Sequence, residues 1–311
     1  MTARTDLWTR RVVLGAGAGA LLAPALLRAQ APARRSRLIL LGTKGGPTPS
    51  PVRAPASNLL LVDGVPFVID APDGVAERLV RAGVALDRLG EIFITHNHSD
   101  HNAGLGALLV LAWGSGLRTP VTIRGPAPLA RLVAGHLAAN DYDIRIRMSE
   151  EGRIPLGPLI SAREIAGPGL VLQTPTVRVT CAFANHYHVP DIAYRFDTPD
   201  RSFVFSGDTA WSDNLIALAR GADVLVHEAI MLSALGGIGN DGNAANIMDH
   251  LVNSHTSAED AGRVAAAAGV RTLVLSHLVP ARAGITDEMW AEGARRHFSG
   301  EIIVGRDMME I

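Results

Sequence analysis

Short apolar runs, each broken by Gly, Pro, Asp or Asn, organise the chain from residue 38 onward. Residues 38–41 form a compact apolar strand that runs into a Gly/Pro-rich loop over 42–55. Runs 59–62 and 66–69 flank Asp63-Gly64, and this turn dipeptide between two apolar segments predicts a β-hairpin. Helical spacing follows over 75–82 and is closed by Gly83. A buried strand is predicted over 91–95, a helix over 103–113, a strand over 121–124 and a helix near 129–139. The second half repeats this grammar. Its strands are predicted at 177–183, 192–196, 202–206, 224–227, 273–276 and 302–304, and its helices at 213–220, 258–268 and 287–296. Strands and helices in both halves, with no repeat of fixed period, predict an α/β fold of two sheets packed face to face with helices outside. Residues 232–254 are the one long irregular stretch, and a connection of that length suits a lid or a binding loop.

The first thirty residues differ in kind. Arg10-Arg11 precede an apolar Ala/Gly-rich run over 12–27, then Arg28 and the small-residue pattern Ala29-Gln30-Ala31. This is the layout of a twin-arginine export signal, which divides the chain into a signal over 1–31 and a catalytic domain over 32–311. The expected location is periplasmic or secreted, with the membrane met only in transit. Net charge is −1, and no concentrated basic stretch marks a nucleic-acid face. Cys181 is the only cysteine, which rules out an internal disulfide, and its alternating surroundings predict a packed core thiol.

The candidate chemistry begins where the strand over 91–95 ends. His96, His98, Asp100 and His101 fall within six residues. On an extended stretch His96 and His98 project to the same side, and the bend toward the following helix aims Asp100 and His101 elsewhere. Imidazole and carboxylate are the ligands of zinc and similar divalent ions, and two pairs suggest two ions. Three other predicted strands end in Gly, Ser or Asn followed by a coordinating side chain: Asn185-His186-Tyr187-His188, Ser206-Gly207-Asp208-Thr209 and Ser276-His277.

In this order, His-x-His-x-Asp-His, His, Gly-Asp-Thr and His, the residues resemble the metallo-β-lactamase fold superfamily over nearly the whole chain after the signal. The resemblance implies a four-layer αββα sandwich. It places His96, His98 and His186 on a first ion, with His188 as the alternative to His186. Asp100, His101 and His277 fall to a second ion, and Asp208 bridges. Val226-His227-Glu228-Ala229 and His255-Thr256-Ser257-Ala258-Glu259 resemble two motifs of the ribonuclease Z-like branch. There Glu228 would orient His255 and favour its protonated form, so that His255 could give a proton to a leaving group. Asp100, Glu228 and His255 are the expected catalytic residues.

The resemblance therefore implies a binuclear hydrolase, zinc first among the candidate metals, in which a hydroxide held between two ions attacks an ester-type substrate. Phosphodiesters, sulfate esters and lactones all fit that chemistry. Ribonuclease Z proper carries a long tRNA-gripping arm, and here only 21 residues separate His186 from Asp208. The missing arm, the export signal and the acidic balance point to a small-molecule substrate and against nucleic acid, with nucleic-acid phosphodiesterase as the alternative. A non-catalytic metal-binding or scaffold protein is the alternative of another class, but its signature would be lost ligands. Trp211 and Tyr187 are candidates for either core or pocket. A homodimer is compatible with all of these features.

Overall fold

Two-residue alternation along the first strand divides its side chains between two interiors. Leu38 and Leu40 face one apolar core, Ile39 and Leu41 another. A strand buried on both faces needs a layer on each side, and the computed structural model supplies them. It describes residues 35–237 and 244–311, so the proposed export signal lies outside the described residues.

The first half runs β1 (Ser36–Gly42), β2 (Ser57–Val62), β3 (Val65–Ile69), α1 (Val75–Arg81), β4 (Glu91–Phe93), α2 (Ser99–Asn102), α3 (Leu105–Gly114), β5 (Val121–Gly125), α4 (Leu129–Ala139), α5 (Asp141–Glu151) and β6 (Ile160–Glu164). The second runs β7 (Gly169–Gln173), β8 (Arg178–His186), β9 (Val189–Asp197), β10 (Ser202–Phe205), α6 (Asp213–Ala219), β11 (Val224–Ile230), α7 (Ile247–Ser254), α8 (Ala258–Ala268), β12 (Thr272–Val279), α9 (Asp287–Arg295), β13 (Glu301–Val304) and β14 (Met309–Glu310). One sheet has the order β14-β1-β2-β3-β4-β5-β6 and the other β13-β12-β11-β10-β9-β8-β7. In each, antiparallel neighbours lead into a parallel run: β3 to β6 in one sheet, β10 to β13 in the other. The halves thus share a topology without sharing a sequence repeat.

The core between the sheets holds Leu38, Leu60, Phe67 and Phe93 from one side and Tyr194, Phe196, Phe205 and Val226 from the other. Phe93 meets Phe196 edge to face at 5.0 Å, and the Tyr194 hydroxyl donates across to the Ile94 carbonyl at 2.9 Å. The first sheet's outer face packs on α1, α3 and α4, and the second's on α6, α8 and α9. This is the helix–sheet–sheet–helix sandwich.

Several elements depart from the sequence pattern. The helix expected over 103–113 is preceded by a separate turn, α2, which carries Asp100 and His101. The 232–254 stretch is not wholly irregular, because α7 occupies its end. Helix α5 and strands β6 and β7 were not foreseen. Helix α5 buries no residue, and its Ile144, Ile146 and Met148 alternate with charged or polar neighbours, so no helical stripe marks it. No helix among the described residues is long and apolar enough to cross a membrane.

Candidate metal centre

Parallel strands send their C-terminal ends to the same edge of a sheet, and at this edge the coordinating side chains leave the sandwich. His96 follows β4, His186 ends β8, Asp208 follows β10, and His277 lies in β12 with φ +45°. The turn before Asp208 requires Gly207: its φ is +64°, and a Cβ there would stand 2.0 Å from Asp191 Oδ1.

Two donor groups form. In the first, His98 Nδ1 lies 3.0 Å from His96 Nε2 and 3.1 Å from His186 Nε2. In the second, His101 Nε2 and His277 Nε2 are 3.2 Å apart, and Asp100 Oδ2 lies 3.7 and 3.5 Å from them. Asp208 Oδ2 touches both groups, at 3.2 Å from His277 Nε2, 3.5 Å from His101 Nε2 and 3.9 Å from His96 Nε2. Within each group the donor atoms lie inside 4.8 Å of one another. Three imidazole nitrogens aimed at one point, beside a second point ringed by imidazole and carboxylate, have the chemistry of two divalent-ion sites sharing a carboxylate. His186 is buried in this cluster, whereas His188 is exposed on the turn after it.

Behind the donors stand two carboxylates that the sequence pattern did not single out. Asp191 Oδ2 is 2.8 Å from His96 Nδ1 and accepts from the Asp208 backbone N–H at 3.1 Å. Asp70 Oδ2 is 2.8 Å from His101 Nδ1, and its Oδ1 accepts from the Thr95 N–H at 2.8 Å. A carboxylate on the far nitrogen fixes the tautomer and ring angle of a coordinating imidazole. Asp70 could have been found, because it ends an apolar strand as Asp208 and His277 do. Asp191 offered the weaker signal of one acid inside an apolar strand. The Ser254 carbonyl plays the same part for His186 at 3.2 Å from Nδ1.

Burial lowers the proton affinity of His96 and His98 and brings His186 down to about 4, which keeps these rings in the neutral form that coordinates metal. Burial opposes a charge on His101 as well, but Asp208, Asp70 and Asp100 override it and hold its pKa well above the ordinary value. Metal uptake must displace that proton.

Glu228 and His255 meet as the sequence suggested. Glu228 Oε1 lies 3.2 Å from His255 Nδ1. The same oxygen accepts from the Thr256 N–H at 2.9 Å and the Thr209 N–H at 3.2 Å, so it ties the Gly-Asp-Thr turn to the His255 segment. Burial would lower His255, yet Glu228 pushes its pKa up to about 9. The His255 ring stacks near His277 at 5.8 Å and lies 5.4 Å from His186, beside both donor groups. A cleft of about 220 Å³ opens over them, with Ile247, His250 and Leu251 of α7 forming one wall. His227 is buried away from the cluster, with Nδ1 2.7 Å from the Glu228 carbonyl oxygen. Trp211 and Tyr187 are exposed and belong to no core.

The family model described as the beta-lactamase superfamily domain matches residues 60–278, from β2 to β12. Ribonuclease Z from Mycobacterium bovis (strain BCG / Pasteur 1173P2) is 36% identical over 279 residues, covering 88% of this chain and 97% of the relative. Ribonuclease Z from Mycobacterium avium (strain 104) is 36% identical over 276 residues, with 88% and 96% covered. Among solved structures, the metallo-beta-lactamase fold protein YhfI from Bacillus subtilis superposes with a TM-score of 0.66 at 20% identity, covering 89% of this chain and 98% of that one. Human tRNase Z, short form, superposes at 0.64 and 20% identity, with 88% and 98% covered.

These relatives correct the expectation of a small-molecule substrate and no nucleic acid. A chain without an arm that spans 97% of a ribonuclease Z leaves that relative no room for a long arm of its own. The missing arm therefore does not separate this chain from enzymes named for RNA cleavage. A near-neutral net charge does not separate them either, since it measures the whole surface and not the site. The chain belongs to the metallo-β-lactamase superfamily, within the family of the ribonuclease Z proteins, and is a metal-dependent hydrolase.

Proposed function

We propose that this protein is a two-metal phosphodiesterase that cleaves RNA in the manner of its ribonuclease Z relatives. The observation that carries the reading is His255, backed by Glu228 and standing beside both donor groups joined by Asp208. His96, His98 and His186 would hold one ion and Asp100, His101 and His277 the other, with Asp208 shared and zinc the best match to this nitrogen-rich set. Ions bound there supply Lewis acidity and lower the pKa of water.

The chain's own residues do the rest. Asp191, Asp70 and the Ser254 carbonyl hold the ligand rings at fixed angles. Ile247 and Leu251 give the cleft over the donor groups an apolar wall. As a water oxygen bonds to phosphorus and gives up a proton to solvent, the P–O bond to the leaving oxygen breaks, the departing oxygen takes the proton held on His255, and Glu228 steadies the imidazole through the transfer. Asp100 contributes as a ligand of the second ion.

The test is cleavage of end-labelled RNA by the zinc-loaded chain, with bis(p-nitrophenyl) phosphate, a sulfate ester, a lactone and nitrocefin as parallel substrates. RNA cleavage that EDTA abolishes and zinc restores is the expected outcome. Intact RNA beside rapid lactone or sulfate ester hydrolysis would overturn the reading. His255→Ala should slow RNA cleavage by about 10²–10⁴-fold and the nitrophenyl ester far less, because nitrophenolate leaves without a proton.

A further inference from the structure

We infer that His250 is a further substrate-binding residue, whose Nε2–H donates to a non-bridging oxygen of the phosphodiester in the cleft over the metal centre. It acts within the phosphodiester cleavage proposed above, and the inference rests on that reading.

Few polar side chains line the cleft. His98, Asp100, Asp208 and His277 fall to the proposed ions and His255 to the leaving group, which leaves Ser99 and His250 to meet the rest of the substrate. His250 lies on α7, and its ring stands edge to face with three others. Its centroid is 5.8 Å from that of His98, 5.6 Å from His186 and 5.8 Å from His255. It therefore overlooks the first donor group and the proposed proton donor together. Among the described residues its nitrogens join neither donor group. The ring is placed to touch what the ions hold and not the ions themselves.

Hydrogen bonding settles which nitrogen offers a hydrogen. Ser254 Oγ lies 3.1 Å from His250 Nδ1, one helical turn further on. Ser254 is fully buried, and among the described residues its hydroxyl has no other hydrogen-bond partner. A buried hydroxyl hydrogen without an acceptor is costly, so it points at Nδ1. The neutral imidazole then carries its own hydrogen on Nε2, and a protonated ring carries one there as well. Nε2 is the donor in either state, and no described protein group accepts from it.

The end of α7 is fixed before any substrate arrives. The Ser254 carbonyl oxygen lies 3.2 Å from His186 Nδ1, and His255 follows Ser254 directly. One turn of helix thus carries the new donor, the partner of a ligand ring and the approach to the proton donor. Groups already held lose little freedom on binding. Beside His250 the wall is apolar, formed by Ile247 and Leu251. A hydrogen bond from such a wall to an anionic oxygen is of the stronger, charge-assisted kind.

The experiment compares the zinc-loaded chain with His250→Ala and with His250→Gln, which retains an N–H donor. His250→Ala should lower kcat/KM by about 10–100-fold, on RNA and on bis(p-nitrophenyl) phosphate alike, and His250→Gln should recover part of the loss. Loss on both substrates separates this contact from the proton transfer by His255, whose removal largely spares the nitrophenyl ester. RNAs with a single phosphorothioate at the cleaved linkage identify the oxygen. The loss caused by His250→Ala should shrink for one sulfur isomer and persist for the other. Equal loss on both isomers, or wild-type kcat/KM on the unsubstituted RNA, would overturn the contact and leave the proposed reaction standing. A fall in the zinc content of His250→Ala, read by mass spectrometry, would also overturn it, because His250 would then support the ions. Calorimetry with dimethyl phosphate separates the reverse case. Binding that weakens in His250→Ala, in a chain that cleaves no phosphodiester, would keep the contact and sink the reaction. An unmodified chain that neither binds dimethyl phosphate nor cleaves a phosphodiester overturns both.

Discussion

Asp70 carries as much of the site as any ligand, although it would touch no ion. Its carboxylate holds His101 Nδ1 and the Thr95 N–H together, so it sets both a ring angle and the exit of the ligand-bearing loop. Asp70→Asn keeps an acceptor for Thr95 but removes the charge facing the imidazole. The expected result is a loss of about 10–100-fold in metal affinity, read by chelator competition, with folding retained. Glu228 makes the second prediction at this scale. The ordinary histidine pKa of 6.5 becomes about 9 at His255, because the Glu228 carboxylate outweighs the penalty of burial. A raised pKa keeps the proton on the ring until pH climbs through about 9, so RNA cleavage should fall on that alkaline side. Glu228→Gln removes the largest of the influences that oppose burial, leaving only Asp208 and Asp100, so the pKa falls and the alkaline limb should move to lower pH. A limb that stays in place in the pH–rate profile would deny Glu228 this role. The donor residues were legible in the sequence because His and Asp at strand ends are chemically conspicuous. Asp191 was not, since only the approach of β9 to the loop after β4 reveals what it faces.

At the level of elements, the clearest constraint comes from the loop after β1. Its Gly45 lies over β12, and a Cβ there would stand 2.5 Å from both His277 Nδ1 and Val279 Cγ2. Gly45→Ala must therefore push the His277 ring or part the loop from the strand. Because His277 is assigned to the second proposed site and not to the first, the variant should lose about one metal equivalent and keep the other. Metal content by mass spectrometry after gel filtration checks this, and circular dichroism should show an intact fold. Equal loss of both equivalents would mean that the damage spreads through Asp208. The sequence revealed strands such as β2, β3 and β11 because apolar runs bounded by turn residues are unambiguous. It hid α5 and β6, whose half-exposed residues carry no period. It also hid α2, where Gly104 separates one turn from α3: a Cβ at that position would meet the Pro72 carbonyl oxygen at 2.0 Å. That break sets Asp100 and His101 apart from the helix that follows.

For the whole molecule, the site exists only when both halves are assembled. Donors come from the loop after β4 and from α2 in one half, and from β8, from the turn after β10 and from β12 in the other. No fragment of the chain can hold either ion as the intact sandwich would, so metal binding and global folding are linked. This bears on the segment ahead of the fold. We propose that residues 1–31 direct twin-arginine export, from Arg10-Arg11, the apolar run after them and Ala29-Gln30-Ala31. That route carries folded cargo, which suits a centre built from distant parts of the chain. Export would also change the meaning of RNA cleavage, since the RNA met outside the cytoplasm is not the RNA matured within it. Fusing residues 1–31 to a reporter that is exported only when folded should carry it across the membrane. Replacing Arg10 and Arg11 together by lysine should retain it inside, because the paired guanidinium groups are what the pathway's signals share. Unchanged export of the lysine variant would remove the twin-arginine reading, and retention of both fusions would return the enzyme's substrate to the cytoplasm.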